Sequence, residues 1–509
     1  MRAILPTKSR RVAASLVTAH RSWRPGAVVS GMVGIVARRG LRAHVARPRG
    51  EHPTVSDREL RGRVWALALP AIGEQLLTLG VGTSDTFLSG HLSSAATAHL
   101  GYGRATAVTA VGVASTAAWV AMTAFFAINI GVTALVARAT GAKDRRLAGH
   151  AAGQGIMLGL VAGCVLLLAA VPLATFIARV LGVDGQVADL VATFLRVYSL
   201  AFPATGAASA CTATMRGAGD ARRPLAVMLC VNGINILASW SLMNGVPGLG
   251  IAPIGVLGSA CGAAAGWVVG CGVALTMLSR RHPRAPQITR AALRPNWPLA
   301  QRVLRVGLPS AAELTVFQLG IISFLRFVVP LGAAAYAANT AINTVESIGT
   351  LPGIGFSVAT TTIVGQALGA ADPALAQRAI WASLRPCLLV MSAVALVVGL
   401  LPHVVLGMFV ADASVLQAGG TAMRLSFFTL PASGAAFVFI GALRGAGDTK
   451  FPVLVRAAGT WGVRVPLALL VIPLLGLPGA RLAMVVDFCT EASITYLRVR
   501  SGRWHRTSV

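Results

Sequence analysis

Six carboxylates lie deep inside apolar stretches of this chain: Glu74, Asp85, Glu313, Glu346, Asp487 and Glu491. The whole sequence has only 16 acidic residues, and most of the others fall in loops or at segment ends. A carboxylate at bilayer depth costs about 3 kcal/mol or more and persists where it faces a cavity or a partner, so each of the six is a functional candidate. Glu74 and Asp85 are eleven residues apart. At about 100° per residue that is nearly three whole helical turns, so both project from one face, about 16 Å apart along the axis. Pro70, Gly80 and Gly82 give the same helix places to bend. An acid on a bending helix suits a proton-responsive element, because burial disfavours the charged form.

Each of these groups has a second reading. Asp85 is also read as a carboxylate satisfied by helix hydroxyls, and Glu74 and Glu313 as packing groups near the interface. Glu346, in NTVESIGTLPGIGF, is either a helix-packing carboxylate or a substrate contact. Asp487 and Glu491 are four apart and have Arg464 and Arg481 as expected salt-bridge partners. On the fifth span, 222–245, Asn232 and Asn235 add amides to a half-polar face; amides in lipid usually join helices, and a ligand role for Asn232 is the second reading. A membrane-embedded enzyme would need a nucleophile–base pair or clustered His and acids at one depth, and His403 alone near a segment end is not that. The seven cysteines fall in or near apolar segments without CxxC pairs, which reads as small buried hydrophobes rather than a disulfide framework or metal site. No cofactor and no metal are expected.

The elements that hold these residues are membrane spans. The chain is 55% hydrophobic and 12% charged, with mean hydropathy +0.72, against about 25% charged in soluble domains. Charge-free runs such as Met157–Ile177 and Cys387–Val410 are long enough to cross about 30 Å of hydrocarbon. We expect an all-α integral membrane protein with twelve spans. They fall near 62–90, 106–138, 148–180, 187–215, 222–245 and 252–279, then 300–330, 334–368, 374–406, 413–443, 450–475 and 478–499. A net charge of +28 invites a nucleic-acid reading, but Arg and Lys crowd every second loop. That is the positive-inside pattern, which puts the basic loops and both termini in the cytoplasm and argues against nucleic acid. Residues 1–59 form a basic extension, read as a disordered tail, a transit peptide or a mis-assigned start. Residues 280–299 form a basic, Pro-rich cytoplasmic linker between an N-lobe (60–279) and a C-lobe (300–509).

The two lobes repeat one another. Met215-Arg-Gly-Ala-Gly-Asp recurs as Leu443-Arg-Gly-Ala-Gly-Asp, 228 residues on, and Gly141 and Asp144 recur at the same offset as Gly369 and Asp372. Leu69-Pro70-x3-Glu74 recurs as Leu308-Pro309-x3-Glu313, 239 residues on. Six spans per unit make the repeats parallel, with the substrate path between them. The Arg-Gly-Ala-Gly-Asp turns read as structural: two glycines relieve a tight turn, and Asp and Arg bond local backbone and lipid headgroups.

Six stretches in order resemble the multidrug and toxic compound extrusion (MATE) family, nearest its DinF-like branch, across about residues 60–505: LALPAIGEQLLTLGVGTSDTFLSGHL, GVTALVARATGA, MRGAGDARRP, GLPSAAELTVFQLG, LPGIGFSVATTTIVGQALGA and LRGAGDTKFPVLVRAAGTWGVRVPLA. The resemblance implies two six-helix lobes in a V and export of cationic or amphipathic compounds against an inward proton or sodium flow. It assigns coupling to Asp85, with Asn235 beside it in the N-lobe. Ser239 and Val81 stand where archaeal-type members have an aspartate and a tyrosine. Glu313 is on the helix that carries one acid of another branch's sodium site, but 413–443 holds no acid to complete it. The expectation is a monomeric, multi-pass transporter of the cell (inner or plasma) membrane, proton-coupled through Asp85 and Asn235, with Glu74, Glu313, Glu346 and Asn232 as substrate-pathway candidates. The alternatives are a sodium-coupled relative or a lipid-linked precursor flippase of the wider superfamily.

Overall fold

The computed structural model describes residues 55–246, 248, 250–279 and 289–507. The expected extension up to residue 54 and the basic centre of the linker, 280–288, lie outside the described residues. The regular structure is helical, with one isolated antiparallel bridge, Val246–Ile251. The N-lobe comprises α1 (Asp57–Gly90), the short α2 (Ser94–Leu100), α3 (Arg104–Gly141), α4 (Arg145–Val180), α5 (Gly185–Ser199), α6 (Phe202–Gly217), α7 (Arg222–Asn244) and α8 (Val256–Ser279). The C-lobe comprises α9 (Trp297–Val328), α10 (Ala333–Gly369), α11 (Pro373–Leu400), α12 (Pro402–Gly407), α13 (Ala413–Arg424), α14 (Ser426–Ala446), α15 (Lys450–Gly459), α16 (Val465–Leu475) and α17 (Leu477–Arg500).

Among the described residues, ten helical segments are long and apolar enough to cross a bilayer, α15 and α16 counting as one. The pair α5–α6, bent by 53°, makes an eleventh. The expected continuous span 187–215 is thus broken at Leu200, and Pro203 explains the restart: it sits in the first turn of α6, where its missing N–H costs nothing. The expected span 413–443 is likewise two helices, α13 and α14. The twelfth, α17, is 24 residues long and carries Arg481, Asp487 and Glu491, too many charges for apolarity alone to mark it.

The duplication is visible atom by atom. Asp144 and Asp372 cap equivalent helices, accepting from Leu147 N and Leu375 N, each at 2.8 Å. Thr133 Oγ1 donates to Ala213 O at 3.2 Å, and its equivalent Thr361 donates to Gly441 O at 2.9 Å. The first glycine of each Arg-Gly-Ala-Gly-Asp turn lies against the second helix of its own lobe. A Cβ at Gly217 would collide with Thr133 O, and one at Gly445 with Thr361 O. The second glycine turns the chain through the left-handed region, with φ +89° at Gly219 and +82° at Gly447.

The sequence boundary between lobes is not the boundary between cores. Leu60, Val64, Leu67 and Ala68 of α1 are buried with C-lobe residues. Leu299 and Val303 of α9 are buried with N-lobe residues. Backbone contacts repeat the same exchange: Gly355 of α10 lies on Ala68 O of α1, and Gly307 of α9 on Ala127 O of α3. Gly141 touches Gln366 O while Gly369 touches Arg138 O, a reciprocal pair at equivalent positions. Each lobe therefore docks its first helix on the other lobe's second long helix, α1 on α10 and α9 on α3, and the reciprocal glycine pair closes the end that carries both Arg-Gly-Ala-Gly-Asp turns. Toward the other end, the core built on Leu92, Val111, Phe125, Val191 and Met243 belongs to the N-lobe alone.

Candidate functional site

All six deep acids are buried. Five of them meet arginine. Glu74 pairs with Arg216 and Glu313 with Arg444 at 2.9 Å, so the repeated Glu of the first helix meets the repeated Arg of the turn motif in both lobes. This corrects the expectation that these arginines serve local backbone and lipid headgroups. Both motif arginines instead point their side chains inward, to carboxylates 142 and 131 residues away.

Glu346 is fully engaged: Ser426 Oγ donates to Oε1 at 2.6 Å, and Arg481 Nη1 to Oε2 at 2.9 Å. Arg481 also donates to Asn339 Oδ1 at 2.6 Å and Asn343 Oδ1 at 2.9 Å. Asp487 pairs with Arg464 at 2.6 Å, as expected, while Glu491 takes Arg456, at 2.7 and 2.9 Å, in place of Arg481. Arg456 also lies 3.8 Å from Glu313. Three acids and three arginines thus form one cluster between α9, α14, α15, α16 and α17. Phe317 of α9 lies under two of the guanidiniums, 4.7 Å from Arg456 and 5.4 Å from Arg464. The π-turn Thr460–Arg464, which periodicity does not reveal, joins α15 to α16 and carries Arg464 into the cluster.

Asp85 is different. It is 3% exposed, and its partners among the described residues are neutral: Asn235 Nδ2 donates to Oδ2 at 3.3 Å, and Ser239 Oγ to Oδ1 at 3.1 Å. The donors come from α7, four residues apart on one face. Glycines on α8 press that face toward α1: a Cβ at Gly262 would run into Ser239, and one at Gly266 would lie 3.4 Å from Asn235 Cβ. Asn235 Oδ1 is buried with no hydrogen-bond partner among the described residues. The site therefore offers a carboxylate and a spare amide oxygen, both acceptors, in a place without a countercharge. Acceptors in that arrangement have the chemistry to bind a proton or a small cation.

Asn232 stands apart from this site. Its Nδ2 donates to Met228 O at 2.9 Å, and its Oδ1 faces Gly80 of α1. Of the coupling and substrate-pathway candidates Asp85, Asn235, Glu74, Glu313, Glu346 and Asn232, only Asp85 and Asn235 are hydrogen-bonded to each other among the described residues. Ser239 completes them, and its position had marked only a departure from a pattern. Among the described residues, no group of three or more His, Cys, Asp or Glu side chains is placed to hold a metal ion.

A family model, MatE, matches residues 70–241 and 309–470, one match in each lobe. A probable multidrug resistance protein NorM of Thermotoga maritima is 28% identical over 89% of this chain and 94% of its own length. A probable multidrug resistance protein of Bacillus subtilis, YoeA, is 23% identical over 67% of this chain and 74% of its own. Among solved structures, MATE in the bent conformation superposes with a TM-score of 0.78 at 20% identity, covering 87% of this chain and 96% of that one. An outward-facing multidrug resistance MATE transporter gives 0.78 at 20% identity, over 89% and 98%. The likeness to these structures is one of fold.

Proposed function

Because the chain belongs to the MatE family, and so is a multi-pass membrane transporter rather than an enzyme, we propose that it exports cationic or amphipathic organic compounds, drugs among them, in exchange for protons, with Asp85 as the coupling carboxylate. The observation that carries this reading is the contrast among the deep acids: five are neutralised by arginine, and Asp85 alone among them is met by an amide and a hydroxyl. A carboxylate without a countercharge responds to a proton by losing its only charge; one locked to arginine does not.

Orientation follows from charge. The basic turns support an orientation with the motif end and both chain termini in the cytoplasm, and our reading is of a monomer in the cell membrane. The lobes pack together at that end, which supports a substrate path that opens outward in this state. A proton arriving from outside neutralises Asp85. Its bonds from Asn235 and Ser239 then lose their charge assistance, α1 repositions against α7, and substrate between the lobes is released. Return to the cytoplasm-facing state discharges the proton. Coupling needs only that the two facing states differ in affinity for proton and substrate.

Export into everted vesicles tests this. A panel of cationic dyes is offered under an imposed proton gradient, then under an imposed sodium gradient, with wild type and Asp85→Asn. Proton-driven accumulation that Asp85→Asn reduces to the level of empty vesicles, at equal membrane insertion, is the expected result. Unchanged export by Asp85→Asn sinks the role of Asp85, and accumulation driven by sodium alone moves the reading to a sodium-coupled antiporter.

A further inference from the structure

The first Arg-Gly-Ala-Gly-Asp turn is held by the opposite lobe. At the end of α6, Thr362 Oγ1 of α10 donates to Arg216 O at 3.1 Å, and Gln366 Nε2 to Gly217 O at 3.0 Å. Both carbonyls belong to the last helical turn; Arg216 O also accepts from Gly219 N at 2.9 Å within the turn, so Thr362 is a second donor to it. Thr362 and Gln366 are four residues apart on a helix, so one face of α10 presents both donors to consecutive carbonyls. The turn is shaped to receive them: a Cβ at Gly219 would come within 3.0 Å of Gln366 Nε2, and Gly219 has φ +89°.

The duplication supplies an internal control. At the 228-residue offset the equivalents of Thr362 and Gln366 are Ala134 and Arg138. Alanine has no donor, and Arg138 Nη2 donates elsewhere, to Thr507 O at 3.0 Å. The backbone contacts around the two positions are reciprocal, Gly141 on Gln366 O and Gly369 on Arg138 O. The packing is thus symmetric while these side-chain bonds run from the C-lobe to the N-lobe turn.

We propose that Thr362 and Gln366 form a one-sided polar latch on the carbonyls of Arg216 and Gly217, and that its release is what lets the lobes part at the motif end. The bonds exist only while the lobes touch. When the lobes separate, water takes the carbonyls, so the latch weights the equilibrium between the two facing states without touching substrate or coupling ion. This inference rests on the alternating-access reading above, and the test separates the two.

Ala142→Cys and Ala370→Cys place spin labels at equivalent, exposed positions on the two lobes, at the motif end. On a background with the native cysteines replaced, label-to-label distances in lipid nanodiscs report lobe contact directly, with no transport required. Gln366→Leu with Thr362→Val keeps the apolar volume and removes both donors. The expected result is a shift of about tenfold in the ratio of long to short distances, the worth of two modest hydrogen bonds given up by one state. Gln366→Asn, one methylene shorter, is the second variant should the pair fold poorly, and is expected to shift the same ratio in the same direction by a smaller factor. An unshifted distance distribution in a folded variant overturns the latch, whatever transport does. A shifted distribution with wild-type dye export under both gradients upholds the latch and counts against the alternating-access reading.

Discussion

Each lobe buries a polar cluster between its first helix and its last two spans, and the two clusters solve the same physical problem in opposite ways. In the N-lobe, α1, α7 and α8 enclose one carboxylate held by neutral donors. In the C-lobe, α9, α15, α16 and α17 enclose acids interleaved with arginines. At the repeat offsets, Asp85 corresponds to Phe324, Asn235 to Val463 and Ser239 to Leu467, so the polar triplet has an apolar echo. Conversely, Arg456 and Arg464 correspond to Met228 and Ile236. A buried charge matched by an opposite charge is a scaffold, rigid and costly to break. A buried charge matched by dipoles remains free to titrate. The lesson is that one duplicated frame can carry a braced half and a responsive half.

Breaking the braced half is expected to have the largest effect. Arg456→Leu strands Glu491 and leaves Glu313 with Arg444 alone, at a cost of about 3–5 kcal/mol; thermal melting of the solubilised protein measures it. The double variant Arg464→Leu with Asp487→Leu removes a complete pair and is expected to melt within about 1–2 kcal/mol of wild type while still exporting dye. A folded double variant that cannot export would give the C-lobe cluster a part in transport and undo the contrast.

Next come the symmetric pairs. Glu74→Gln and Glu313→Gln each replace a charged partner of a motif arginine by a neutral one, and each is expected to cost about 1.5–3 kcal/mol. Near-equal losses in melting support equivalent bracing; a loss confined to Glu313→Gln would show that its second neighbour, Arg456, carries the effect.

Asp85→Asn is expected to change melting by less than about 1 kcal/mol, because a neutral amide still accepts from Asn235 or Ser239. Its loss of gradient-driven export would then be chemical rather than structural, which is the sharpest form of the comparison. The smallest effect lies outside both clusters, in the tail. Burial pushes the His505 imidazole below its ordinary value, so the docked tail favours the neutral ring. That contribution is present above the ordinary histidine range and lost as pH falls through it. Hydrogen exchange over residues 503–507 should therefore speed up on acidification below about pH 6, while the helices around Asp85 keep their protection.

The frame was legible because duplication writes itself in linear spacing: the recurrence of Glu74 as Glu313 and of Arg216 as Arg444 needs no coordinates. That these residues meet one another was not legible, since partners 142 and 131 residues apart leave no short-range signal. Arg464 with Asp487 was foreseen, but Glu491 takes Arg456 and Arg481 takes Glu346, because four-residue spacing on α17 fixes a face and not the helix it meets. Ser239 illustrates the opposite failure. Judged against a family pattern it is a missing acid; beside Asp85 it is a donor. The break between α5 and α6 and the π-turn at Thr460–Arg464 escaped a reading that assumes one period per span.

The reciprocal glycine contacts, Gly141 on Gln366 O and Gly369 on Arg138 O, carry a mechanical consequence. Side chains that interdigitate let go gradually, but bare backbone surfaces adhere only at contact distance. A gap of about 0.5–1 Å already forfeits a quarter to a half of the dispersion energy. The junction therefore behaves like a snap fastener, firm when shut and nearly indifferent once parted, which favours two end states over a continuum between them.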